Sequence, residues 1–118
     1  MRLDDDAAGL ELTHYGTQAD EETIKDTAVA QPLIVAAGLV AGRLLAPSLE
    51  GRSDVVFAGH SVGEITAAAL SGVLSEADAM RFVRVRATEM ARAAAVSPTG
   101  MAAVLGGTQS LHTNALDE

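Results

Sequence analysis

Asp54-Val55-Val56-Phe57-Ala58-Gly59-His60-Ser61-Val62-Gly63-Glu64 is the stretch on which the fold of this chain turns. The segment Asp54–Ala58 is short, apolar and β-branched, the pattern of a buried parallel strand. Gly59 to Gly63 reads as a tight turn, and Glu64–Leu70 as the helix after it. A G-x-S-x-G sequence between a strand and a helix is the pattern of a nucleophile elbow. Such a turn lifts the serine hydroxyl above the strand ends, and small flanking residues let the two backbones approach. The helix that follows points its free N–H groups and positive dipole end at the same spot. Ser61 is therefore the candidate nucleophile and the Val62 N–H a candidate oxyanion donor, a group worth roughly 3 kcal/mol in a barrier. The plainer alternative is a serine that caps a helix in a glycine-rich turn.

Working outward, Ala28–Leu45 is apolar almost all round and predicts a buried helix. Pro32 is tolerated only in a first turn, so that helix is expected to start near Gln31 and to be closed by Pro47. Ser75-Glu76-Ala77-Asp78 resembles a capping box and opens a long helix ending near Ala95. Met101–Leu105 reads as a second strand, and a short helix is expected near 19–26. This order of elements points to an α/β architecture. Two strands are few for a parallel sheet covered on both faces, which suggests part of a larger domain.

The chain has 118 residues, 48% of them hydrophobic and only 3% aromatic, with 23 alanines. An Ala, Val and Leu core favours helices over an all-β barrel. The net charge of −8 opposes phosphate backbones, so no nucleic-acid partner is expected. No run of 18 uninterrupted apolar residues is present, so no membrane-spanning helix and no membrane partner are expected. The N-terminus lacks the pattern of a signal peptide. The absence of cysteine excludes disulfides, thiolate zinc sites and a Cys nucleophile, is compatible with a cytoplasmic location, and leaves no metal site in view. Acidic residues crowd into 1–26, whereas Arg81, Arg84, Arg86 and Arg92 cluster near the other end.

A serine nucleophile needs a base within hydrogen-bond reach. His60 is adjacent in sequence, but neighbours at an elbow point in different directions. His14 and His112 fall in segments with little predicted structure, so no histidine qualifies. At 100° per residue, Ala79, Phe82, Met90 and Ala93 fall within about 40° of Arg86, which puts this arginine on an apolar stripe where it needs an anionic partner. Either Glu89 supplies one at i,i+3, or Arg86 clamps a substrate carboxylate with its guanidinium fork. Gln31 either satisfies backbone groups at a helix start or lines a pocket.

Gly59-His60-Ser61-Val62-Gly63-Glu64 resembles the GHSxGE motif of the malonyl-CoA:acyl carrier protein transacylase family. Ala30-Gln31-Pro32-Leu33, Ala67 to Gly72, Arg86 with Met90, and Gly100-Met101-Ala102-Ala103 fit that family in order and spacing, from about Leu10 to Gly107, closest to its actinobacterial members. The resemblance implies a partial α/β-hydrolase-like core with a nucleophile elbow, truncated where a ferredoxin-like subdomain begins. It divides the chain into an acidic segment (1–26), the elbow with its flanking helices (27–99), and the start of the small subdomain with a tail (100–118).

The implied reaction is ping-pong transfer of malonyl from malonyl-CoA to the phosphopantetheine thiol of acyl carrier protein through a Ser61 ester. Arg86 matches the arginine that pairs with the malonyl carboxylate, Val62 the oxyanion donor, and Gln31 a glutamine lining the active site. No bound cofactor is implied. Arg81 and Arg84 offer a surface for an acidic carrier protein. The family's opening GQGSQ loop has no counterpart before Leu10, and its catalytic histidine lies beyond residue 118. The chain is thus expected to be an internal fragment, inactive alone, with Met1 a miscalled start. A polyketide synthase acyltransferase fragment, a serine esterase and a non-catalytic remnant are the competing readings.

Overall fold

The computed structural model describes residues 11–97 and 105–107. Every regular element among them is a helix: α1 (Leu12–Thr17), α2 (Glu21–Lys25), α3 (Thr27–Leu49), α4 (Gly63–Leu70) and α5 (Glu76–Val96). Helix α3 is the axis, packed against each of the other four. Its inner residues Val35, Ala36 and Leu39 join Leu12 of α1, Ile65 of α4, and Ala79, Met80 and Val83 of α5 in one core. Small side chains let these helices approach. A Cβ on Gly38 would lie 2.7 Å from Thr66 Cγ2, and one on Gly42 would lie 2.2 Å from Leu70 Cδ2.

Helix starts follow local chemistry. Asp20 accepts from the Thr23 N–H and Asp26 from the Ala28 N–H, each at 2.8 Å, which satisfies orphan donors at the starts of α2 and α3. Ser75 caps α5 as its sequence predicts, accepting from the Asp78 N–H at 3.0 Å. Arg43 forks onto Glu76, with Nε 3.0 Å from Oε1 and Nη2 on Oε2, and so ties α3 to the first turn of α5.

Three expectations are corrected. Helix α3 begins at Thr27, not near Gln31, because the Asp26 cap starts it early. Pro32 therefore lies inside the helix, where its buried ring offsets the missing N–H. Pro47 does not close α3 either. Its missing N–H removes one ladder bond near the end, and the helix continues to Leu49, with Ser48 Oγ donating to the Leu45 carbonyl at 2.7 Å.

The expected strand at Asp54–Ala58 does not form, and Val56 is 86% exposed. A strand completes its hydrogen bonds on a neighbour, and none runs beside it among the described residues. Except for Leu105, the second expected strand (101–105) lies outside those residues, as does His112. The described part is thus helical rather than α/β.

The expectation that no segment qualifies as a membrane span is also amended. Ala28–Leu49 is long and apolar enough by length and composition alone. In this fold it is the central helix, and one side of it is covered by α4 and α5.

Candidate active site

The elbow is present as a turn even without its strand. Ser61 has φ 56°, in the left-handed region that a non-glycine residue occupies only at a cost. Gly59 makes this turn possible: a Cβ there would lie 2.1 Å from the carbonyl carbon and oxygen of Gly63 and 2.5 Å from the Glu64 nitrogen. The chain then enters α4 through short-range bonds, Gly63 N–H to the His60 carbonyl at 3.0 Å and Glu64 N–H to the Ser61 carbonyl at 3.2 Å. The N-cap of α4 is Val62, which has no capping side chain. Ser61 is therefore not a helix cap. Among the described residues the Val62 N–H donates to nothing, and it stands beside the exposed Ser61 hydroxyl.

Arg86 reaches this turn from α5. Its Nη2 donates to Ser61 Oγ at 3.1 Å, and its Nη1 donates to Gln31 Oε1. The i,i+3 alternative fails because Glu89 is taken by Arg92 at 2.7 Å. Arg43, Arg52 and Arg81 are likewise paired, with Glu76, Asp54 and Asp78. Arg86 differs from all four. It is half-buried, and among the described residues its hydrogen bonds go only to neutral groups. A guanidinium held among neutral acceptors beside a hydroxyl presents unmet charge to any incoming carboxylate.

The face of α5 also differs from expectation. Its buried stripe runs through Ala79, Met80, Val83 and Ala87, leaving Phe82 exposed and Arg86 at the edge. Gln31 is 7% exposed and is satisfied at both ends, by Arg86 and by Met90 Sδ at 3.4 Å from Nε2. The structure thus brings Ser61, Val62, Arg86 and Gln31 together. Met90 belongs with them. Its place one turn beyond Arg86 was the available signal, but a methionine on a helix face reads first as packing.

His60 is exposed, and no histidine side chain hydrogen-bonds Ser61 among the described residues. Nor, among the described residues, do three metal-ligating side chains converge there. The donor set of hydroxyl, guanidinium and amide suits an acyl group bearing a carboxylate rather than a metal.

The sequence model of the acyl transferase domain family matches residues 4–116. The chain belongs to that family. It is 52% identical over 103 residues to the malonyl CoA-acyl carrier protein transacylase of Mycolicibacterium smegmatis, covering 87% of this chain and 36% of that protein. It is 55% identical over 106 residues to the enzyme of the same name from Mycobacterium tuberculosis H37Rv, covering 88% of this chain and 35% of the relative. The crystal structure of MCAT from Mycobacterium tuberculosis superposes with a TM-score of 0.85 at 51% identity, over 96% of this chain and 38% of that one. The chain thus spans about a third of the length of the curated relatives it matches.

Proposed function

We propose that this chain is the nucleophile-bearing part of an enzyme that moves a malonyl group from malonyl-CoA to the phosphopantetheine thiol of acyl carrier protein, in the cytoplasm and in service of fatty acid synthesis. The observation that carries this reading is Arg86, a guanidinium without a carboxylate partner among the described residues, 3.1 Å from Ser61 Oγ. The names of its mycobacterial relatives supply the acyl donor and acceptor.

In this mechanism a substrate carboxylate displaces Ser61 Oγ from Arg86 Nη2 and takes that arm of the guanidinium as its partner. Ser61 Oγ, its proton taken by a base from outside the described residues, attacks the thioester carbonyl. The Oγ–C bond forms, the negative oxygen is met by the Val62 N–H, and the C–S bond breaks as the base hands its proton to the sulfur, releasing CoA thiol. In the second half the same base takes the carrier thiol's proton as the sulfur attacks the Ser61 ester carbonyl; a new C–S bond forms, the C–Oγ bond breaks, and the proton passes from the base to Oγ. Gln31 lines the site and holds Arg86. Around it, an α/β-hydrolase-like core extends the elbow, with 1–26 as an acidic segment, 27–99 the elbow and helices, and 100–118 the start of a smaller subdomain.

The test is acylation of the purified chain, read by intact mass. Malonyl-CoA is expected to label Ser61 slowly, with no label in Ser61→Ala. In Arg86→Ala labelling should be slower by about a hundredfold, the loss of a charge-assisted pair of roughly 3 kcal/mol. Catalytic turnover onto carrier protein should be negligible, since no histidine side chain bonds Ser61 among the described residues. Equal labelling by malonyl-CoA and acetyl-CoA, or labelling of Ser61→Ala, would sink the reading.

A further inference from the structure

We propose that Met90 is a positioning residue for the carboxylate site, acting through Gln31 on Arg86; this rests on Arg86 as the carboxylate clamp. Gln31 is the buried polar residue of the described core, and a buried amide needs partners at both ends. Its oxygen accepts from Arg86 Nη1, and its nitrogen donates to Met90 Sδ at 3.4 Å. Arg86 and Met90 lie one turn apart on α5, while Gln31 comes from α3. The three side chains therefore close a loop across two helices, and Ser61 hangs from the free end of the guanidinium.

The loop fixes which way the amide points. Flipped, Nε2 would face Arg86 Nη1, donor against donor, and Oε1 would face a thioether that cannot donate. With the oxygen turned to Arg86, one arm of the fork is anchored and the other is left for Ser61 or a substrate carboxylate. Burial does not account for Met90 at this place. It is 42% exposed, whereas Met80 on the same helix is 2% exposed and fills the core. A half-exposed methionine whose sulfur meets a buried amide is placed by that contact.

The experiment follows the guanidinium directly, by nitrogen-15 NMR of the full chain, as the rate of rotation that exchanges the Arg86 Nη groups. Met90→Leu keeps the bulk and removes the acceptor, and should speed this exchange about fivefold, the scale of one weak hydrogen bond. Gln31→Ala should speed it tenfold or more by the same reckoning, roughly the loss of a bond to a charged group. Met90→Gln restores an acceptor and should return the rate to within about twofold of the wild type. Malonate affinity, titrated in the same samples, should follow the same order, with the melting midpoint of Met90→Leu unchanged.

If Met90→Leu and Met90→Gln exchange alike, or both match the wild type, the positioning role is overturned. Wild-type protein that binds no malonate would overturn the clamp instead, and the exchange rates would still decide the role of Met90.

Discussion

The segments on either side of Ser61 are both short and apolar, yet Gly63–Leu70 is a helix and Asp54–Ala58 is not an element at all. Ile65 after the turn is 5% exposed, while Val56 before it is 86% exposed. The difference lies in where each finds its hydrogen bonds. Helix α4 closes its own ladder and finishes it locally, with Ser71 N–H on the Ala67 carbonyl and Gly72 N–H on the Ala69 carbonyl, both at 3.0 Å. A strand has no such resource and must borrow from a neighbour distant in sequence. Among the described residues that neighbour is missing, and no backbone–backbone bond involves 54–58. The elbow persists because its geometry depends on the helical side.

The largest way to break that arrangement is at its pivot. In Gly59→Ala the new methyl would meet the Gly63 and Glu64 backbone at 2.1 to 2.5 Å, where no flexible side chain can yield. A loss of about 3 kcal/mol is expected, read from the urea midpoint. Gly63→Ala is the control, since a Cβ there meets nothing within 4 Å, and it should change stability by no more than about 0.5 kcal/mol. Equal costs at the two positions would mean that the turn is not the close approach described.

Two valines sharpen the contrast at a smaller scale. Val83 is fully buried in the core, so Val83→Ala should cost about 2 kcal/mol through lost transfer energy and the cavity left behind. Val56→Ala should lie within about 0.5 kcal/mol of the wild type. If Val56→Ala proves as costly as Val83→Ala in equilibrium unfolding, the segment before Ser61 is packed in solution and the asymmetry between the two sides disappears.

The same distinction explains what is legible in the sequence. The Ser75 cap, the Gly59–Gly63 turn and α4 depend on neighbours a few residues away, and all three were legible. Arg86 is recognisable as an arginine out of place, but helix periodicity alone does not choose between Glu89 and a more distant site; only the family resemblance favours the latter. That choice depends on Arg92 taking Glu89 and on α3 delivering Gln31 from 55 positions away. The start of α3 was misjudged because the proline rule weighs one lost N–H but not the burial of the Pro32 ring. Met90 is visible on the Arg86 face, but its contact is hidden for a related reason. Nothing in a local pattern tells a packing methionine from one whose sulfur meets an amide across a helix pair.

The smallest effect belongs to the most local device. Ser75 Oγ accepts the Asp78 N–H at 3.0 Å and also donates to Asp78 Oδ2 at 2.7 Å. That hydroxyl, followed by the Arg81 guanidinium, holds the Asp78 carboxyl below its ordinary value of 3.8. A carboxyl depressed by folding stabilises above that ordinary value, and the contribution is lost as pH falls through the lower folded value. Ser75→Ala should therefore cost about 1 kcal/mol near neutral pH, the usual price of an N-cap. Its melting midpoint should approach the wild type's in strong acid, where the Asp78 carboxyl is protonated in both proteins and only the bond from the backbone remains to be lost. A gap that stays constant from neutral to acid would show that Ser75 acts on the backbone alone. In either case the effect should remain within the first turn of α5 and leave the Arg86–Ser61 contact intact, as expected of a helix that closes its own bonds.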